Sequence, residues 1–293
     1  MRKTLYMAII GIAVLLMSSC SHVDNLPEWA RKLNEIPIPD YMQGRTQVDV
    51  YFKYNQLVNG YEVTAKWMPY NTFSETGVVV MNFQNIDTGM EFQYFGEKYQ
   101  SSDTDEISFA KDLNGHKSGD VHYFNYTSPD TLDPFKDVNG NSPLGYYTPF
   151  QFLDIDFDGK EELLMSDWIR GKAGNNYTVF KLSENGLQKI DYIPLDRLTN
   201  VDRIDLKNES LAIVECDGAS DRAEFYYSRK ERKERIIDVP EFRSVSARGF
   251  DVEKYNKELG SPFVLDSIKE NTVGADGEYR TTYIVLGSKI VKV

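Results

Sequence analysis

The stretch Phe152-Leu153-Asp154-Ile155-Asp156-Phe157-Asp158-Gly159-Lys160-Glu161-Glu162-Leu163-Leu164 decides how this chain is read. Counted from Asp154, carboxylates stand at positions 1, 3, 5 and 9 (Asp154, Asp156, Asp158 and Glu162), and Gly159 stands at position 6. Alternate acidic side chains with a glycine at the bend let a short loop wrap a hard cation, because Gly accepts the positive φ of the turn. The ligand at position 7 of such loops is a backbone carbonyl, which here belongs to Lys160. Four carboxylates this close repel one another unless solvent or a metal takes up the charge. The expected ion is Ca2+, held by Asp154, Asp156, Asp158, Glu162 and the Lys160 carbonyl. Ile155 and Phe157, interleaved with the carboxylates, would clamp the loop in one shape.

An EF-hand is excluded. It requires a bidentate Glu at position 12 and helices on both sides, whereas position 12 is Met165 and the flanks, Phe150-Gln151-Phe152 and Leu163-Leu164-Met165, read as buried strands. The spacing resembles the calcium hairpins of FG-GAP and VCBS repeats, which lie between two strands of a propeller blade. From Tyr146 to about Ser228 the order of features is similar to that of calcium-binding bacterial envelope proteins with propeller-like folds. The shared order is the acidic hairpin, a Gly/Asn-rich turn at Gly171–Asn176, the strand Tyr177–Leu182 and a Tyr-rich strand at Phe225-Tyr226-Tyr227. Some members of that family look like immunity proteins that block peptidoglycan hydrolases. The resemblance implies a propeller-like arrangement and the metal ligands; no inhibitory residue can be matched.

Upstream and downstream of the loop the chain reads as β throughout. Val48, Val50, Phe52 and Tyr54 alternate with polar neighbours; Tyr61, Val63, Ala65 and Trp67 answer them across Asn59-Gly60, a hairpin signature. Gly77–Phe83 and Met90–Phe95 form a second pair around Asp87-Thr88-Gly89. Strands are expected at Asp120–Tyr126, Asn176–Leu182, Leu187–Ile193, Leu211–Cys216, Ala223–Tyr227 and Arg235–Val239, with a last hairpin of Pro262–Lys269 and Arg280–Val291. Two helices are expected: a short one carrying Pro27 in its first turn, capped by Asp24 or Asn25, and one over Asp251–Leu259. The fold class is therefore all-β, propeller-like antiparallel sheets or alternatively a β-sandwich, with a short N-terminal helix. No repeat of 40–50 residues can be read off. Residues rich in chain breakers near 135 divide 47–134 from a calcium-binding unit, 135–293, although 47–293 as one domain fits the same pattern.

The first residues carry a different message. Arg2 and Lys3 precede an apolar run from Leu5 to Met17 and then Ser18-Ser19-Cys20. This resembles a bacterial lipoprotein signal peptide, 1–19, cut before a lipidated Cys20. An apolar run of about 13 residues is short of the ~20 that a membrane span needs. Residues 20–46 then form a lipid-anchored tether, at the outer membrane and facing the periplasm or the exterior. Cys216 has no partner left within the mature chain and reads as a buried thiol.

Charge and composition exclude several function classes. Lys and Arg number 33 against 45 Asp and Glu, a net charge of −12, so a nucleic-acid partner is not expected. An acidic surface suits cations or a basic protein. No nucleophile elbow, phosphate loop or His-Glu-x-x-His motif occurs. His116, His122 and Asp120 fall near one Gly-rich turn but read as solvated, and Asp137, Asn139 and Asn141 repeat only half of the acidic pattern. Tyr146, Tyr147, Phe150 and Trp168 read as packing rather than a sugar platform, and the run Arg229–Arg235 as an exposed turn or edge strand. The expected function is that of a non-enzymatic binding module of the envelope, meeting a protein or glycan partner. Its sharpest form is an inhibitor or immunity protein for a cell-wall hydrolase; the alternative is a glycan-binding or glycan-degrading accessory lipoprotein.

Overall fold

A computed structural model describes residues 25–42, 48–70, 76–99, 117–126, 150–170, 174–199, 202–206, 209–217, 221–229, 260–273 and 279–285. The chain divides into two compact units, Met1–Tyr126 and Thr127–Val293. The signal peptide, Cys20, His116, Tyr146, Tyr147, the Asp137–Asn141 echo, the Arg235–Val239 strand and the Asp251–Leu259 helix lie outside the described residues, as does the expected boundary at 134/135.

The first unit is one sheet with a helix docked on it. Period-two alternation yields β1 (Val50–Tyr54) and β2 (Tyr61–Pro69), antiparallel, with Val50 opposite Trp67. Asn59 and Gly60 turn the chain with φ of 51° and 79°, the pair of positive values that a primed turn demands. β3 (Thr76–Asn85) and β4 (Glu91–Tyr99) complete the meander across Asp87-Thr88-Gly89. β5 (Asp120–Phe124) then joins the other side of β1 in parallel, giving the order β4-β3-β2-β1-β5. Alternation specifies which face a residue occupies but not the direction of the neighbour, so this parallel pair was invisible in the sequence.

Phe52, Val63, Ala65, Trp67, Val79, Met81 and Phe83 share one buried face of the sheet. The other face receives helix α1 (Glu28–Glu35), whose Ala30 and Leu33 are buried against Leu26 and Tyr51. Asn34 fixes the docking: its Oδ1 accepts hydrogen bonds from the Tyr51 hydroxyl (2.8 Å) and the Lys66 ammonium (3.2 Å). Burial holds the Lys66 pKa below the usual lysine value and pushes the Tyr51 phenol up to about 12. The helix does not start as the sequence led one to expect. Pro27, not Asn25, occupies the cap position, and no side chain caps the helix; the Pro27 carbonyl accepts from the amides of Ala30 and Arg31 instead.

The second unit contains two sheets. β6 (Phe150–Leu153), β7 (Glu162–Arg170), β8 (Gly174–Ser183) and β9 (Gly186–Lys189) run in chain order as an antiparallel meander. The other sheet has β10 (Arg203–Asp205), β11 (Ser210–Asp217), β12 (Asp221–Arg229), β13 (Phe263–Val273) and β14 (Tyr279–Val285), also in chain order. Both contribute to one core of Leu164, Tyr177, Val179, Leu211, Ile213, Tyr227, Phe263 and Leu265, among others. β9 stops at Lys189, four residues before the run of apolar character ends, and the chain enters a 3₁₀ turn at Leu195–Arg197. The protein is thus all-β apart from α1 and short 3₁₀ turns among the described residues. Its three sheets are of five, four and five strands, with no ring of repeated blades among those residues. Among the described residues no helix is long and apolar enough to cross a membrane.

Candidate metal centre

The acidic stretch is the turn of the β6–β7 hairpin. Pairing of Leu153 with Glu162 closes the ladder, so residues 154–161 bulge out as a loop between two buried strands. Ile155 is wholly buried in the shared core, and Phe157 lies edge-on to the fully buried Phe263 with ring centroids 6.1 Å apart. These two apolar anchors fix the loop against the core. Phe157 and Gly159 both take positive φ, 58° and 86°. Gly159 does so without steric cost; Phe157 is held there by its packing.

The loop's own amides hold the carboxylates. Asp154 accepts from the amides of Asp158 (Oδ1, 3.0 Å) and Gly159 (Oδ2, 3.0 Å). Asp156 Oδ1 accepts from the Asp158 amide at 3.1 Å, and Asp158 Oδ1 from the Lys160 amide at 2.9 Å. Glu162 reaches back from β7, its Oε2 accepting from the amides of Ile155 (3.0 Å) and Asp156 (3.4 Å). Carboxylate oxygens of Asp154, Asp156 and Glu162 consequently lie within 4.8 Å of one another, with Asp156 and Glu162 each 2% exposed. Asp158 departs from the expected set: its second oxygen faces Lys181 and its carboxylate stands outside that group. The Lys160 side chain is exposed, which suits a residue expected to act through its backbone.

Three groups that the sequence did not announce converge on Asp156. The Lys181 ammonium bridges Asp156 Oδ2 (2.5 Å) and Asp158 Oδ2 (2.8 Å). The Tyr192 hydroxyl donates to Asp156 Oδ2 at 3.2 Å. Arg229 Nη1 donates to the Asp156 carbonyl at 2.6 Å and lies 3.9 Å from its Oδ1. Arg229 therefore corrects the expectation of a purely exposed charged run: it ends the interior strand β12 with a half-buried guanidinium, while 230–235 lie outside the described residues. Lys181 did carry a signal. It shares strand parity with the core residues Tyr177 and Val179, and a lysine on that face needs a counter-charge. Tyr192 sits in an irregular turn and carried none.

Electrostatically the site is short of positive charge. Four carboxylates face two fixed cations, leaving two negative charges unbalanced when all are ionised. Glu162 registers the deficit: burial, and then the neighbouring Asp156, push its pKa up to about 7, against the opposing pull of two backbone amides and Lys181. Burial works against ionisation of Asp158 too, but hydrogen bonds from Lys181 and the Lys160 amide outweigh it and hold its pKa below the usual carboxylate value. Lys181 loses hydration, yet bonding to Asp156 and Asp158 drives its pKa upward. Burial, followed by the charge of Asp156, raises that of Tyr192. An all-oxygen donor set of carboxylates with a divalent charge deficit fits a hard cation such as Ca2+ and offers no soft ligand.

The other sequence candidates fall elsewhere. His122 is not solvated but lies in β5, stacked on Phe124 (centroids 6.3 Å apart, 14° between planes), and burial lowers its pKa. With Asp120 it builds no metal group among the described residues. Phe150 is wholly buried and packs, as expected. Cys216 lies in β11 opposite Arg222.

Comparison with known proteins leaves the site to speak for itself. No family model matches the chain, and no curated protein matches its sequence. Among solved structures, the chain is similar to a Xanthomonas Type IV Secretion System related protein. The alignment covers 84% of this chain and 91% of that one, at 9% identity and a TM-score of 0.41, a likeness too weak to carry an argument about either fold or role.

Proposed function

We propose that the protein is a calcium-binding lipoprotein of the cell envelope, anchored through Cys20 at the outer membrane, and that it acts as a non-enzymatic binding module. The observation that carries the reading is the Asp154–Asp156–Glu162 cluster, held on a hairpin whose apolar residues are locked into the core. Asp154, Asp156 and Glu162 would hold the ion from their carboxylates, joined by Asp158 and the Lys160 carbonyl in the loop pattern of the sequence. The ion would supply the missing positive charge and fix the loop; its role is structural and organising. Architecturally, β6–β9 is a blade-like meander with its cation loop between the first two strands. The five-stranded sheets do not repeat it, and the core shared by β6–β9 and β10–β14 favours a sandwich-like second unit over a closed propeller.

In its sharpest form the reading is of an inhibitor or immunity protein for a cell-wall hydrolase, with the metal ordering the surface that meets the partner. Affinity capture from envelope extract, with and without EDTA, tests it. The expected result is a protein partner retained in calcium and released by the chelator. Retention of polysaccharide alone, followed by its slow hydrolysis, would replace this reading with that of a glycan-active protein.

A further inference from the structure

The first unit carries a groove of its own. Helix α1 covers only part of its sheet face, and beside it a cleft of about 690 Å³ opens over β2, β3 and β4. That volume is in the range of dedicated ligand sites. Sheet faces next to a docked helix are ordinarily apolar, and this one is so elsewhere, at Met68, Val78 and Val80. In the groove the same face instead presents Glu62, Thr64, Asn82, Gln84, Glu91 and Gln93.

The charge of these walls is one-sided. Glu28, Glu35, Glu62 and Glu91 line the cleft against the single cation Lys32. Lys32 pairs with Glu28 at 3.5 Å, both side chains largely exposed, and Lys53 pairs with Glu62 at 2.6 Å from the neighbouring strand β1 on the same face. Glu91 accepts one hydrogen bond from Asn82 (2.8 Å), which in turn accepts from Gln93 (2.9 Å). Glu35 and the exposed Gln84 have no side-chain partner among the described residues. Two carboxylates, Glu35 and Glu91, thus have no cation partner among the described residues. The half-buried indole of Trp29, set edge-on to Tyr123 with centroids 6.0 Å apart, stands in the groove wall and offers a π surface.

We propose that this groove takes a basic peptide segment of a protein partner, its Lys or Arg side chains meeting Glu35 and Glu91 and lying against Trp29. Charge complementarity selects the occupant: free carboxylates attract cations, an indole face favours them further, and amide side chains satisfy the peptide backbone. A neutral glycan would use the amides but leave the carboxylates uncompensated. The proposal rests on the binding-module reading and adds to it a second, metal-independent surface with its own partner chemistry.

Binding of a fluorescein-labelled hexalysine peptide to the full-length protein in detergent, followed by anisotropy, tests it. Length-matched hexaglutamate, a Gly-Ser hexapeptide and chitohexaose serve as comparisons. Hexalysine is expected to bind tightest, to weaken as salt rises, and to lose at least fivefold in affinity in Glu35→Gln/Glu91→Gln. The same charge removed elsewhere, in Glu184→Gln/Glu209→Gln, should leave binding unchanged. Equal loss in both double variants would mean general attraction to an acidic surface and would overturn the proposal. So would hexalysine binding no tighter than the neutral peptide, or chitohexaose binding that the groove substitutions abolish. The groove belongs to the first unit and the acidic loop to the second, and hexalysine binding is expected to survive EDTA. Survival of peptide binding alongside a failed calcium-dependent capture would sink the calcium-dependent inhibitor reading and leave the groove standing.

Discussion

At the scale of single residues, the account rests on Asp156. It is the most buried of the loop carboxylates together with Glu162, and Lys181, Tyr192 and Arg229 all reach it. Lys181 holds carboxylate oxygens of Asp156 and Asp158, so it would compete with a cation bound at the loop. Lys181→Met is therefore expected to tighten calcium binding by about tenfold, the equivalent of ~1.4 kcal/mol, read by calorimetric titration. Unchanged or weaker affinity would show that the ammonium does not oppose the ion. Glu162 gives a second test, in metal-free protein. Its folded pKa is raised to about 7 from an ordinary 4.5, so the folded state binds the extra proton. The stability linked to that proton is fully present below pH 4.5 and is lost as the pH rises through 7. In EDTA, wild type should lose stability relative to Glu162→Gln across this window, and saturating calcium should remove that loss from the wild type, because a bound ion favours the ionised carboxylate. The carboxylates themselves were legible because the loop's spacing encodes them. Lys181 was legible in principle from strand parity, whereas Tyr192 and Arg229 come from elements whose approach depends on the packing of two sheets.

At the scale of elements, hairpins were the most readable feature. Asn59-Gly60 and Asp87-Thr88-Gly89 announce turns by local backbone chemistry, and β1 to β4 follow with the faces that alternation requires. Readability failed where pairing is decided by distant chain. β5 adds in parallel to β1, and the three-residue β10 is too short to carry a period. Helix α1 shows the same division: its apolar stripe was plain, but its cap was misjudged because Pro27 sets the starting φ and leaves no role to a capping side chain. Uncapped and only eight residues long, the helix depends on docking rather than propensity. Leu33, 1% exposed, is its deepest long apolar side chain. Leu33→Ala should cost about 2–5 kcal/mol in chemical denaturation, accompanied by loss of protection at α1 amides. A change below about 0.5 kcal/mol would mean that the helix is not held by this contact.

At the scale of the whole molecule, composition and alternation were enough for an all-β chain, and the structure places its strands in three sheets. They were not enough for the arrangement of those sheets, since a meander of four strands serves a blade or one layer of a sandwich equally well. In the second unit residues of β6–β9 and β10–β14 share one core, and the acidic loop is anchored in it through Ile155 and Phe157. Loop and core are thus one cooperative structure, so an ion bound at the loop should stabilise the unit as a whole by mass action, roughly 2.7 kcal/mol at a hundredfold excess over Kd. The most direct test is thermal unfolding of wild type and Asp156→Ala in EDTA and in millimolar calcium, paired with calorimetric titration. The account predicts heat of binding and a raised Tm for wild type, and neither for Asp156→Ala. Absence of any calcium effect on the wild type, or an equal shift in the variant, would contradict it.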